Sequence, residues 1–212
     1  MITVEAWVEG TSPILLHRFS GSGEIEKKTR RVHIATEDPR TLCEASVYRD
    51  DEGGLCLPGS AFARLIREAG GAHKQRGSRK TLKYIVPAAM IVTDELAPLF
   101  LTDRLTRASE FEIDARPVTI PATKGRIMRY RARLNAWSTK VYLRINDNIL
   151  DEATIRMLLG EGVQQQGLGD FRPEKGGPFG TADVVGWVIV SDRVVIPPRA
   201  TRTNGKATSA QV

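Results

Sequence analysis

Residues 125–146 read GRIMRYRARLNAWSTKVYLRIN, and apolar and charged side chains alternate through both halves of this segment. Alternate residues of a strand point to opposite faces, and a slip of one residue sends every side chain to the wrong face. Sequence sorted this consistently reads as two strands. With Asn135-Ala136 as a two-residue turn, Leu134 faces Trp137, Ala132 faces Thr139, Tyr130 faces Val141 and Met128 faces Leu143, which makes one nearly apolar face. The opposite face pairs Arg133 with Ser138, Arg131 with Lys140 and Arg129 with Tyr142, and sets Arg144 beside Ile127.

That second face has a cost. Like charges directly opposite one another destabilise a strand pair, so Arg131 against Lys140 invites a compensating anion. A solvated face whose long side chains splay apart is the alternative. Composition bears on the choice: residues 124–146 hold seven of the 31 basic residues and no acidic one, leaving 24 basic and 25 acidic side chains in the rest of the chain. The whole positive excess behind the formal charge of +6 sits in this segment. Cations around an aromatic, Tyr142, suit single-stranded RNA, whose bases are accessible.

The remaining elements follow from periodicity and punctuation. Residues 2–9 alternate as a half-buried strand. Residues 18–40, rich in charge and glycine, read as a mobile insertion, and 41–49 as a short helical or extended piece leading through an Asp50–Gly54 turn to Leu55–Leu57. In LPGSAFARLIREAGG, Ser60 is placed to cap a helix over 60–69 with Phe62, Leu65, Ile66 and Ala69 inward, Arg64 outward, and Gly70-Gly71 as the stop. The stretch around 72–84 is an exposed basic loop bearing Lys74, Arg76, Arg79 and Lys80. Residues 84–93, 97–101 and 111–120 read as extended. Asp151 caps a second helix over 152–163, residues 182–190 form a terminal strand, and the tail over 197–212 has nothing to bury and is expected to be disordered. At 212 residues, a single domain over 1–196 accommodates all of this.

Between the second helix and the last strand lies GLGDFRPEKGGPFG, with five glycines around Arg172 and Lys175. Glycines at Gly167, Gly169, Gly176 and Gly177 either serve an ordinary connection or let backbone N–H groups approach phosphates closely.

The order strand, helix, hairpin, helix, glycine-rich loop, strand is the βαββαβ order of an α+β, ferredoxin-like (RRM-like) fold with long insertions. Two stretches carry a resemblance. LCLPGSAFARLIREAG resembles the Pro-Gly-Ser segment and basic first helix of the RAMP superfamily of CRISPR-associated proteins, and GLGDFRPEKGGPFG is similar to that superfamily's glycine-rich loop. More loosely, both resemble RAMP-like proteins carried by phages and other mobile elements. The resemblance implies guide-RNA binding, commonly by a backbone subunit that assembles with copies of itself and other effector subunits.

The expected RNA-binding set is therefore Arg129, Arg131, Arg133, Lys140, Tyr142 and Arg144 on the hairpin, Arg172, Lys175 and four glycines in the loop, Arg64, and the cations of the 72–84 loop. Some relatives cleave RNA, and of His17, His33 and His73 the best placed as a general base is His17, in PILLHRF after the first strand. The leading expectation is nonetheless a non-catalytic RNA-binding subunit. The alternatives are a metal-independent endoribonuclease and a mobile-element protein that mimics a RAMP subunit. No metal or cofactor is expected: Cys43 and Cys56 belong to no ligand cluster and read as free buried thiols, and Asp50 and Asp51 read as a turn. Glu5 and Glu9 interrupt any signal-peptide core and no apolar run approaches about 20 residues, so a cytoplasmic protein without a membrane partner is expected.

Overall fold

The first strand behaves as its alternation demands. In a computed structural model describing residues 1–18, 38–119 and 125–190, β1 (Ile2–Gly10) buries Val4, Ala6 and Val8 and turns Glu5 and Trp7 to the opposite face. The chain continues through β2 (Ile14–Leu16), α1 (Pro39–Ala45), β3 (Tyr48–Arg49) and β4 (Leu55–Pro58) into α2 (Gly59–Ala69). There follow α3 (Val86–Ala89), β5 (Met90–Val92), β6 (Leu96–Phe100), β7 (Glu112–Thr119), β8 (Arg126–Leu134), β9 (Ser138–Ile145), α4 (Glu152–Gln165) and β10 (Ala182–Val190). Most of the expected insertion, His33 with it, and the expected tail lie outside the described residues.

Seven strands form an antiparallel sheet in the order β10-β1-β9-β6-β4-β3, with β5 also paired to β9. Its central part, β10-β1-β9-β6, with α2 between β1 and β6 in the chain and α4 between β9 and β10, is the ferredoxin-like core. Both helices cover one face. Phe62, Leu65 and Ile66 of α2 and Ile155, Leu158, Leu159 and Val163 of α4 join Val4, Val8, Val141 and Leu143 in one core. Asp151 caps α4 by accepting from the Thr154 N–H at 2.7 Å. Ser60 caps nothing: α2 begins at Gly59, with Pro58 at the N-cap position and φ fixed at −67°. Within the stretch expected to be extended, Pro87 opens the short helix α3, where its missing N–H costs no helical bond.

The expected hairpin is not there. β9 keeps the inside and outside that alternation assigns, β8 does so only toward Ala132 and Leu134, with Met128 exposed and Arg131 buried, and the two strands belong to different sheets. β9 lies between β1 on one edge and β5 and β6 on the other. β8 lies between β2 and β7 in a second, three-stranded sheet. With both edges of each strand occupied, residues 135–137 form a corner between the sheets. Trp137 is buried there, and its Nε1–H donates to the Ser12 carbonyl at 2.8 Å. Arg131 therefore never opposes Lys140: its cross-strand partner is Asp114, and that of Arg133 is Glu112.

Candidate nucleic-acid interface

The expected cations fall into three places. The first is a cleft of about 180 Å³ between the start of α2, the end of β2 and the glycine-rich loop. His17, Arg64, Gly167, Gly169 and Arg172, spread over more than 150 residues of sequence, all line it. Arg129 stands beside it, its Nη1 3.4 Å from His17 Nε2. Partial burial of the ring, then the charge of Arg129, hold the His17 pKa below the ordinary imidazole value. His17 is consequently neutral at pH 7, and its Nε2 can accept from the guanidinium.

Two carboxylates that strand and helix periodicity does not single out organise these arginines. Glu174 accepts from Arg64 Nη2 at 2.7 Å and from Arg172 Nε and Nη2 at 3.0 and 2.5 Å, so it bridges α2 and the loop. Asp170 accepts from Arg131 Nε at 2.6 Å. Burial alone would raise the Asp170 pKa, but the hydrogen bond and charge of Arg131, with the Phe171 N–H, outweigh it and hold the carboxyl below its usual range. The Arg131 side chain is only 7% exposed, and its Nη1 is buried without a hydrogen-bond partner among the described residues. It is an internal strut, not the exposed phosphate ligand that strand alternation placed there.

The glycine-rich loop owes its composition first to the protein itself. Gly169 has φ +77°, and a Cβ there would stand 2.5 Å from the Leu15 carbonyl oxygen of β2. At Gly177 a Cβ would meet the Phe171 carbonyl oxygen at 1.8 Å. Both positions, and Gly167, are crowded by this chain's own atoms; beside Gly176 the space is open. Phe179 of the same loop lies under the guanidinium groups of Arg116 and Arg133, at 4.6 and 5.9 Å from its ring centre, which fastens the loop to the β7–β8 ribbon. Lys175 is exposed.

The second place is the helix-free face of the large sheet, with Lys140, Tyr142 and Arg144. Residues 124–146 hold no acidic side chain, but the fold brings carboxylates to this group from other segments. Glu5, across from Tyr142 on β1, accepts from the Tyr142 hydroxyl at 2.6 Å and from Trp7 Nε1 at 2.9 Å, and lies 3.9 Å from Lys140 Nζ. Asp94 accepts from the Tyr142 backbone N–H at 2.6 Å. The Glu5 hydrogen bond, then burial, push the Tyr142 pKa up to about 12. Trp7, packed 5.3 Å from Phe100, adds an aromatic that a tryptophan on the polar side of β1 signals in the sequence.

The third place is the 72–84 loop, a tight excursion closed by Gln75 N–H to the Lys80 carbonyl, with Lys74, Arg76, Arg79 and Lys80 exposed. It follows the C-terminal end of α2, an 11-residue helix about 16 Å long whose first half lines the cleft. His73 there pairs with Glu161 of α4 at 2.6 Å. Among the described residues no cluster of three His, Cys, Asp or Glu side chains is placed to hold a metal, and no helix is long and apolar enough to cross a membrane. Cys43 and Cys56 are buried free thiols, and Asp50 closes the turn to Gly54 as expected.

One solved structure shares this fold. A chain from the Type III-B Cmr-beta complex bound to cognate target RNA superposes with a TM-score of 0.52 at 10% identity, over 89% of this chain and 60% of that one. What the two share is the fold. Cmr6 from Pyrococcus furiosus aligns over 86% of this chain and 97% of its own, with a TM-score of 0.46 and 11% identity. A chain of a Type IV-B CRISPR complex aligns over 98% of this chain and 100% of its own, with a TM-score of 0.44 and 14% identity. No family model and no curated protein matches the sequence.

Proposed function

We propose that this chain binds RNA as a subunit of a CRISPR-type ribonucleoprotein, with the strand passing over the cleft between α2, β2 and the glycine-rich loop. The observation that carries this reading is the convergence of Arg64, Arg129 and Arg172 from three separate segments at one rim, with His17 among them. The ferredoxin-like fold, shared with a chain of a complex bound to target RNA, supports it. Guide RNA, further copies of this chain and other effector subunits are the partners. Lys175, Arg144 and the cations of the 72–84 loop are outlying phosphate ligands along the same strand.

Fluorescence anisotropy with labelled single-stranded RNA at several salt concentrations tests this. The double variant Arg129→Glu, Arg172→Glu should bind more weakly and with a salt slope smaller by about 1.4 log units per log of salt, about 0.7 for each phosphate no longer neutralised. A folded double variant with unchanged affinity and slope removes the cleft from the interface.

One observation favours a second reading. A neutral His17 beside a guanidinium is the arrangement in which imidazole takes the proton of a ribose 2′-OH while the arginine holds the adjacent phosphate. The 2′-oxygen would then attack phosphorus and expel the 5′-oxygen, which takes a proton from water, leaving a 2′,3′-cyclic phosphate on one fragment and a 5′-hydroxyl on the other. Cleavage of labelled RNA in the presence of a chelator, abolished by His17→Ala, would establish this reading over the non-catalytic one.

A further inference from the structure

The cleft does more than gather arginines at a rim. Its floor is apolar, built from Leu16, Pro58, Ala61 and Leu168. Tyr48 and the Gln166 amide stand in its wall, and neither side chain donates or accepts a hydrogen bond with another described residue. At about 180 Å³ it is smaller than the roughly 300–1,000 Å³ of sites that enclose a drug-sized molecule, so it has room for one ring system and leaves anything attached outside. What is attached would meet Arg64 and Arg172 at the mouth. A flat ring with polar edges, joined to an anion, is a nucleotide. An aromatic side chain of a protein partner would fit the floor but bring no anion to the two guanidiniums.

We propose that the cleft seats one unpaired nucleobase of the bound strand, with its phosphate at Arg64 and Arg172. This rests on the RNA-binding reading and adds a one-base subsite to it. Unpaired bases are what proteins read in RNA, because they can be splayed out of the strand and held on their edges. Gln166 offers both a donor and an acceptor to such an edge, and the Tyr48 hydroxyl can act as either. Glu174 accepts from both arginines and the Gly169 carbonyl accepts from Arg172 Nη1, so a phosphate must compete with them. Glu174→Gln should therefore tighten binding of the intact strand several-fold while loosening the loop.

The test uses a short single-stranded RNA carrying one abasic site, moved along its length, against the wild-type chain, Ala61→Leu and Gln166→Leu. In the wild type, one abasic position should cost about tenfold in affinity and the others little. Ala61→Leu, which fills the cleft without changing charge, should weaken the intact strand by the same factor and make all abasic positions equivalent. Gln166→Leu keeps the volume and should reduce discrimination among bases at that position, a readout available even if Ala61→Leu does not fold. The proposal is overturned if wild type binds RNA but no abasic position matters, or if folded Ala61→Leu binds as wild type. If Ala61→Leu instead releases a protein partner while RNA affinity is unchanged, the cleft belongs to that partner and the proposal also fails. Should wild type bind no RNA, the RNA-binding function falls. Titration with AMP and UMP then decides the cleft alone: saturable binding lost in Ala61→Leu keeps it, and no binding ends it.

Discussion

At the scale of single residues, local chemistry is set by partners that alternation alone could not supply. Tyr142 illustrates this. Its pKa of about 12 exceeds the ordinary value of 10 because Glu5 accepts its proton in a hydrogen bond. This bond favours the folded chain fully below pH 10, and its contribution is lost as pH rises through about 12. An ultraviolet titration should show one tyrosine ionising well after the exposed ones, and Glu5→Gln should bring it back toward them. Gly169 carries a different lesson. A side chain there meets both a left-handed backbone and the Leu15 carbonyl, so Gly169→Val should destabilise the fold by about 2 kcal/mol or more in chemical denaturation. RNA affinity of the folded fraction then reports how much of the loop's glycine content serves the ligand.

At the scale of elements, the Arg131–Asp170 pair ties the small sheet to the glycine-rich loop. Removing the carboxylate leaves a guanidinium that is 7% exposed without its charged partner, so Asp170→Asn should cost up to about 3 kcal/mol. Arg131→Met should cost less, and the double variant less than the sum, as is usual for residues that touch. The same pair shows how far a sequence can be read. The strands β8 and β9, the facing of β9 and the Asp151 cap are legible because they depend on period and on near neighbours. The partners of β8 are not. Ala132 pairs with Ile113 on one edge and with Leu16, far earlier in the chain, on the other, and alternation is silent over such separations. His17, Arg64 and Arg172 stand out in the sequence as polar residues, but only the fold shows that they share a rim and that Glu174 ties two of them together.

At the scale of the whole molecule, the ferredoxin-like core separates two environments. One face of the large sheet is sealed by α2 and α4; the other presents balanced charge and aromatic rings. Of the cations in residues 124–146, Arg131 is taken up by Asp170, Lys140 lies 3.9 Å from Glu5, and Arg133 stands over the Phe179 ring. That is why the proposed interface is narrower than the sequence alone implies. The order of the sheet also has a consequence in time. β10 completes it by pairing with β1, Gly10 against Ala182, about 170 residues later in the chain. On a ribosome adding roughly 5–20 residues per second, the outer edge of β1 waits on the order of ten seconds or more for its neighbour. During synthesis this edge is open to any other extended chain, and protection from such a mistake rests with whatever shelters nascent proteins, since its own last strand arrives too late to do so.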